Sequence, residues 1–205
     1  MTWLGFVLAR LRGDEAGLRH LSCATADLLA DLADRRIALI GNARSLSQHR
    51  LGAEIDAADL VIRLNAAPIP DPSSHGARTD WIALSTPVPA GLVALRAPSR
   101  LLWMTRKRRR LPWDVVRHPG FYLNRREDVA ALAARLGGPP TTGLMMIDLL
   151  ARSGMAETRL YGFDFFASLS LSGRRTAAQV PHDFAAERAF VTALIASDPR
   201  VALRP

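Results

Sequence analysis

Ile37-Ala38-Leu39-Ile40-Gly41-Asn42-Ala43-Arg44-Ser45-Leu46 opens as an unbroken apolar run of strand length and closes in a turn. An apolar run without alternation is what a strand covered on both faces requires. Working outward, short apolar runs recur at 60–64, 81–84, 101–104, 121–123, 158–163 and 201–203. Helical patterns lie between some of them, at about 126–136, 142–153 and 183–197. Ahead of the first run, residues 15–34 carry Leu18, Leu21, Leu28, Leu29 and Leu32 at helical spacing. Strand and helix in alternation predict an α/β fold: a Rossmann-like domain with a mainly parallel sheet of about seven strands flanked by helices. In such sheets ligands bind at the carboxyl ends of the strands, in the loops that lead to helices.

The chain of 205 residues fits one domain, 1–205, because its prolines and glycines are scattered and no linker, repeat or low-complexity tract divides it. A chain of this size buries roughly 70% of the surface its unfolded form exposes. Lys and Arg number 27 against 19 Asp and Glu, a net charge of +8. Such a surface attracts polyanions, an anionic membrane or an anionic small substrate. Residues 106–110 read Arg-Lys-Arg-Arg-Arg between Trp103 and Trp113. The run is either a solvated loop or a patch facing phosphate or membrane, and a specific nucleic-acid site ranks last. Cys23 is the single cysteine, which suits a reducing compartment. The apolar stretch 3–9 is too short to span a bilayer, which needs about 20 residues. It lacks a basic leader and a small-residue cleavage site, so the expected location is cytoplasmic, with peripheral contact at the inner face of the membrane.

Gly41 permits a sharp turn after the first strand, and the amides beyond it can face a phosphate. Asn42 offers a donor and an acceptor at the strand tip. There is no G-x-G-x-x-G and no G-K-[ST], which weakens a dinucleotide reading and removes a P-loop. The chain continues Gly52-Ala53-Glu54-Ile55-Asp56-Ala57-Ala58-Asp59-Leu60-Val61-Ile62-Arg63-Leu64-Asn65. This frame, a strand, Gly-Asn, then Gly-x-x-Ile-Asp-x-x-Asp-x-Val-x-Arg-x-Asn, resembles the long motif of the sialyltransferases, glycosyltransferase family 29. The resemblance implies a GT-A-like variant of the Rossmann arrangement in a compact, bacterial-type member. It also implies that Asn42 and Asn65 hydrogen-bond the nucleotide and phosphate of a CMP-sugar donor. Asp56 and Asp59 are read as turn and cap residues, and Arg63 as a structural ion-pair partner.

Pro140-Thr141-Thr142-Gly143 before an apolar helix, then Leu160-Tyr161-Gly162-Phe163, resembles the short motif of the same family. Thr141, Thr142 and Gly143 stand at a helix N-terminus, where hydroxyls and unpaired amides together bind an anion, and Gly162 closes the following strand. Asp148, inside that helix, is expected to face solvent or to be paired. His182-Asp183-Phe184-Ala185-Ala186-Glu187 matches the family's His-x-x-x-x-Glu motif. By resemblance His182 is the general base that deprotonates the acceptor hydroxyl, a task for a neutral imidazole. On a helical wheel Glu187 falls in the apolar stripe of Phe184, Val191, Leu194 and Ile195, so its carboxylate needs a partner and a positioning role is expected. His20, His49, His75 and His118 have no such context and are read as surface or structural.

The resemblance implies an inverting, metal-independent transfer of sialic acid, Kdo or another ulosonic acid to a glycan or glycolipid hydroxyl, without a cofactor. Two features depart from the family. Its extracytoplasmic members join the two motifs by a disulfide, where this chain has Ile37 and a residue near Gly154. Its aromatic-histidine motif is also missing, since 165–180 contains no histidine. Arg174 and Arg175 are read either as a solvated pair or as the substitute at the leaving phosphate, since arginine holds two phosphate oxygens in a fixed fork. Three rival readings remain: a nicotinamide-dependent oxidoreductase, a degenerate nucleotide-binding protein and a basic nucleic-acid module centred on 106–110.

Overall fold

A computed structural model describes residues 1–165 and 182–205. Helices α1 (Trp3–Arg12), α2 (Glu15–Arg19) and α3 (Thr25–Leu32) precede the first strand, β1 (Arg36–Ile40). Then α4 (Gly52–Asp56) leads to β2 (Leu60–Leu64), α5 (Pro72–His75) to β3 (Trp81–Leu84) and α6 (Ala90–Arg96) to β4 (Arg100–Trp103). Next, α7 (Trp113–Val116) leads to β5 (Phe121–Leu123), and α8 (Arg126–Leu136) and α9 (Thr142–Ala151) lead to β6 (Glu157–Tyr161). Finally α10 (Phe184–Ser197) leads to β7 (Val201–Leu203).

The seven strands form one sheet in the order β5-β4-β3-β2-β1-β6-β7, and every pairing is parallel. Unbroken apolar strands follow from this, because helices cover both faces. Ile37 and Leu39 enter the core under α3, α9 and α10, whereas Ala38 and Ile40 enter the core under α4. From β1 the chain winds outward through β2 to β5, then returns to the other side of β1 for β6 and β7. The order therefore reverses between β1 and β6, and a crevice opens there at the carboxyl edge of the sheet.

The structure departs from the sequence reading in four places. The expected helix 15–34 is two helices, broken where Ser22 and Cys23 run beside the edge strand: the Cys23 amide donates to the Phe121 carbonyl, and the Leu123 amide donates to Ser22 Oγ. Covering an exposed sheet edge outweighs two helical turns. Strand β6 ends at Tyr161 and β4 at Trp103, each short of its apolar run. Arg63 is fully buried but has no ion-pair partner among the described residues: Nε donates to the Arg78 carbonyl at 2.8 Å and Nη2 to the His75 carbonyl at 2.9 Å. Burial pushes its pKa down to about 10, so it remains a cation at neutral pH, held by backbone dipoles. Arg108, inside the basic run, is also buried, with Nη2 2.6 Å from Glu15 Oε1 and Nη1 donating to the Thr105 carbonyl at 2.7 Å. The run is therefore part structural. Asp56 and Asp59 hold turns as expected: Asp56 accepts the amides of Ala77 and Arg78, and Asp59 pairs with Arg36 at 2.8 Å.

Candidate active site

Two strand ends build the floor of the crevice. After β1 the Gly41 amide donates to the Tyr161 carbonyl at 2.7 Å, and the Ala43 amide donates to the Gly162 carbonyl at 3.1 Å. The approach leaves no room for a side chain, since a Cβ on Gly41 would lie 2.3 Å from the Gly162 oxygen. Gly162 itself takes φ +66°, which other residues adopt only at a cost. The turn that displays Asn42 is thus set by the loop after β6. Asn42 Nδ2 reaches the Leu64 carbonyl at 3.4 Å, and its Oδ1 is buried with no partner among the described residues.

Asn65 follows β2 in the left-handed region, φ 53°, which asparagine tolerates better than most residues. Its Oδ1 accepts from the Ser85 amide at 2.9 Å, and its Nδ2 points to Thr142 Oγ1 at 3.4 Å. The two asparagines therefore end adjacent parallel strands on one edge of the sheet. Asn65 also links β2 to the start of α9.

Helix α9 is buried from Thr142 to Leu150, which explains its apolar composition on every face. Asp148 is the polar exception and is paired with Arg135 at 3.3 Å and Arg152 at 3.0 Å. At the N-terminus Thr141 Oγ1 caps the helix by accepting from the Leu144 amide. The amides of Thr142 and Gly143, at the first two helical positions, have no intrahelical acceptor. They stand at the positive end of the helix dipole, beside the two asparagines.

Glu187, on α10, is buried and accepts from the Thr141 amide at 2.7 Å and from Thr141 Oγ1 at 2.8 Å. This is the partner its place in an apolar stripe demanded, and it joins α10 to the cap of α9. Burial pushes the carboxyl above its ordinary pKa, and the two donors from Thr141 pull it back in part. Five residues earlier, just ahead of α10, His182 Nδ1 lies 2.8 Å from the Pro139 carbonyl. A carbonyl oxygen can only accept, so Nδ1 carries a proton, and in the neutral ring the lone pair is then on Nε2. Asp183 caps α10 by accepting from the Ala186 amide.

One cavity of about 250 Å³ is lined by all nine of the described residues singled out from sequence: Gly41, Asn42, Asn65, Thr141, Thr142, Gly143, Gly162, His182 and Glu187. Sequence reasoning missed its apolar wall of Phe163, Phe165 and Phe184. The only signal for it was aromatic residues flanking both motifs. Phe165 takes φ 52°, and the Arg188 guanidinium lies 5.7 Å over its ring. Arg174 and Arg175 lie outside the described residues. Of the other histidines, His75 is buried with Nδ1 2.7 Å from Ser74 Oγ, and His118 Nδ1 accepts from the Gly120 amide, both structural. Among the described residues no three of His, Cys, Asp and Glu converge as metal ligands, and no helix is long and apolar enough to cross a membrane.

The model of glycosyltransferase family 29 (sialyltransferase) matches residues 25–113, a span that contains β1, Asn42, β2 and Asn65. A search of curated proteins returned no match. Among solved structures, a mammalian sialyltransferase superposes with a TM-score of 0.64 at 21% identity, covering 88% of this chain and 77% of its own. A mammalian sialyltransferase in complex with Gal-beta-1-3GalNAc-ortho-nitrophenol gives 0.63 at 20% identity, over 97% of this chain and 84% of that one. The sialyltransferase CstII in complex with CMP gives 0.57 at 13% identity, over 82% and 80%. The fold is thus that of sialyltransferases, and the family whose motifs the sequence resembles is the family whose model it matches.

Proposed function

We propose that this chain is a family 29 glycosyltransferase that moves sialic acid or a related ulosonic acid such as Kdo from its CMP-activated form to a glycan or glycolipid hydroxyl. The observation that carries the reading is the convergence of His182, two strand-end asparagines and the N-terminus of α9 on one cavity. The family match over 25–113 and the sialyltransferase fold support the same class of donor.

In this reading the CMP phosphate lies against the amides of Thr142 and Gly143, with Asn42 and Asn65 on the nucleotide. His182 Nε2 takes the proton of the acceptor hydroxyl as its oxygen bonds to the anomeric carbon. The bond from that carbon to the phosphate oxygen breaks on the opposite side, and CMP leaves with the electron pair, inverting the centre. Negative charge grows on the departing phosphate, where unpaired helix amides are worth most. Glu187 touches neither reactant: it holds Thr141, and so fixes the helix end that receives the phosphate. CMP is a good leaving group, so neither a metal nor a cofactor is required. A cytoplasmic location belongs to the reading, because a single cysteine leaves the two motifs without a disulfide. No specific nucleic acid is proposed as a partner, and burial of Arg108 inside the basic run agrees with that.

The test is a thermal-shift series followed by turnover. CMP or CDP should raise the unfolding temperature at concentrations where UDP, GDP and NAD do not, since a ligand of the native state stabilises by mass action. His182→Ala should retain that shift and lose transfer by roughly 100-fold or more, the scale of a lost general base. Equal stabilisation by NAD, or full activity of the His182 variant, would overturn the reading.

A further inference from the structure

Helix α1 is apolar on two opposite faces. Phe6 and Ala9 are buried against the β3–β5 side of the sheet, where Phe6 packs on Trp113 with ring centroids 5.0 Å apart. On the other side Leu4, Leu8 and Leu11 recur at i, i+4 and i+7 and are 60%, 41% and 57% exposed. Trp3, at 59%, flanks them. A surface helix ordinarily turns polar residues outward, so a second apolar stripe calls for a cover of its own.

The surroundings indicate what the cover is. The end of α1 meets the loop after β4, where Arg10 Nη1 donates to the Leu111 carbonyl at 3.0 Å. That loop exposes Arg106, Lys107, Arg109 and Arg110, and Arg12 ends the helix beside them. None of these five has a carboxylate partner among the described residues. Of the nearby acids, Glu15 is taken by Arg108 and Arg126, and Asp14 caps α2. An outward apolar stripe bordered by unpaired cations is the pattern of a helix lying in the plane of an anionic bilayer surface. A second copy of the chain would bring the same cations together, and like charges would oppose it.

We infer that α1 and the 106–110 loop form a docking surface for an anionic lipid bilayer, with Leu4, Leu8 and Leu11 inserted and the cations at the headgroups. Arg108 is excluded from the contact and instead braces the loop from within. The loop leaves the carboxyl end of β4, so the docking surface reaches the sheet edge on which the cavity opens. A membrane-borne acceptor would thereby meet the cavity from the docked side, although the docking itself does not rest on the proposed reaction.

The experiment is flotation of the full chain with phosphatidylcholine vesicles, with and without about 30% phosphatidylglycerol, an anionic fraction that attracts polybasic surfaces. Binding should be at least tenfold tighter with the anionic lipid and should weaken as salt is raised. Arg109→Glu with Arg110→Glu should lower the affinity about tenfold or more, and so should Leu4→Gln with Leu8→Gln and Leu11→Gln, neither set changing the unfolding temperature in solution. Brominated acyl chains should quench the emission of the unaltered protein, and Trp3→Phe should remove most of that quenching, a readout independent of whether the leucine variant folds. Absence of binding to anionic vesicles, or binding without quenching and unaffected by the leucine changes, overturns the inference. So does a dimer in solution that the leucine changes dissociate while vesicles are ignored.

Discussion

Glu187 and Thr141 show what a single residue contributes here. Both carboxylate oxygens accept from Thr141, so the ionised form fits the site, yet burial favours the neutral one. On acidification Glu187 should therefore take up a proton before an exposed glutamate does and lose its grip on Thr141. CMP affinity should fall on that acid limb, and Glu187→Gln, which cannot titrate, should lack the limb. Global stability has the opposite sign. A raised folded pKa contributes stability that is complete below the ordinary value of 4.5 and is lost as pH rises through the folded value. The unfolding temperature of the unaltered protein relative to Glu187→Gln should accordingly be most favourable in acid and decline as pH rises. At neutral pH the amide should cost about 1 kcal/mol, because its NH2 confronts a donor. A pH-independent difference would mean that Glu187 does not titrate in this range.

At the scale of elements, the loops after β1 and β6 act as one unit. Gly41→Ala should place a methyl group against the Gly162 carbonyl and destabilise the protein by about 1–3 kcal/mol in urea unfolding. Because the same turn presents Asn42, CMP affinity should fall with it. An alanine variant of ordinary stability would show that the two loops are free to separate. The 106–110 loop depends on its buried member in the same way. Arg108→Met leaves Glu15 with Arg126 alone and strips a donor from the Thr105 and Asn124 carbonyls, at a cost of about 3 kcal/mol. Replacing exposed Arg109 by Met should cost less than about 0.5 kcal/mol. Similar costs for the two positions would contradict the division of the run into a brace and a surface.

Across the whole molecule, the parallel sheet separates duties between its two edges. Asp59 with Arg36 and Asp56 with the 77–78 amides secure the amino-terminal side, whereas the cavity and the basic loop share the carboxyl edge. The proposed chemistry uses a base, helix amides and a good leaving group. Chelators should therefore leave turnover unchanged, and a strict metal requirement would contradict it. Arg36 holds the Asp59 carboxyl down to about 2. Stability from that pair is present above the ordinary value of 3.8 and is lost as pH falls through about 2, which an NMR titration of the carboxyl would show.

Periodicity and local chemistry, which a short window of sequence contains, were enough for the seven strands and the three long helices 126–136, 142–153 and 183–197, and together with the motif resemblance they picked out the nine described candidate residues that line the cavity. An unbroken apolar run needs two covered faces wherever it occurs, and a threonine at a helix start caps it regardless of the rest of the chain. For Glu187 a partner could be foreseen, because a carboxylate in an apolar stripe demands one. That the partner would be Thr141, 46 positions away, was not legible. Nor were the helix break at Ser22 and Cys23, the carbonyl cage of Arg63, the burial of Arg108 or the aromatic wall of the cavity. Each of these is decided by what the sheet brings beside a segment: an open strand edge, a ring of carbonyls, a glutamate from another helix. Such neighbours come from distant parts of the chain, and only the packed tertiary structure determines which of them meet.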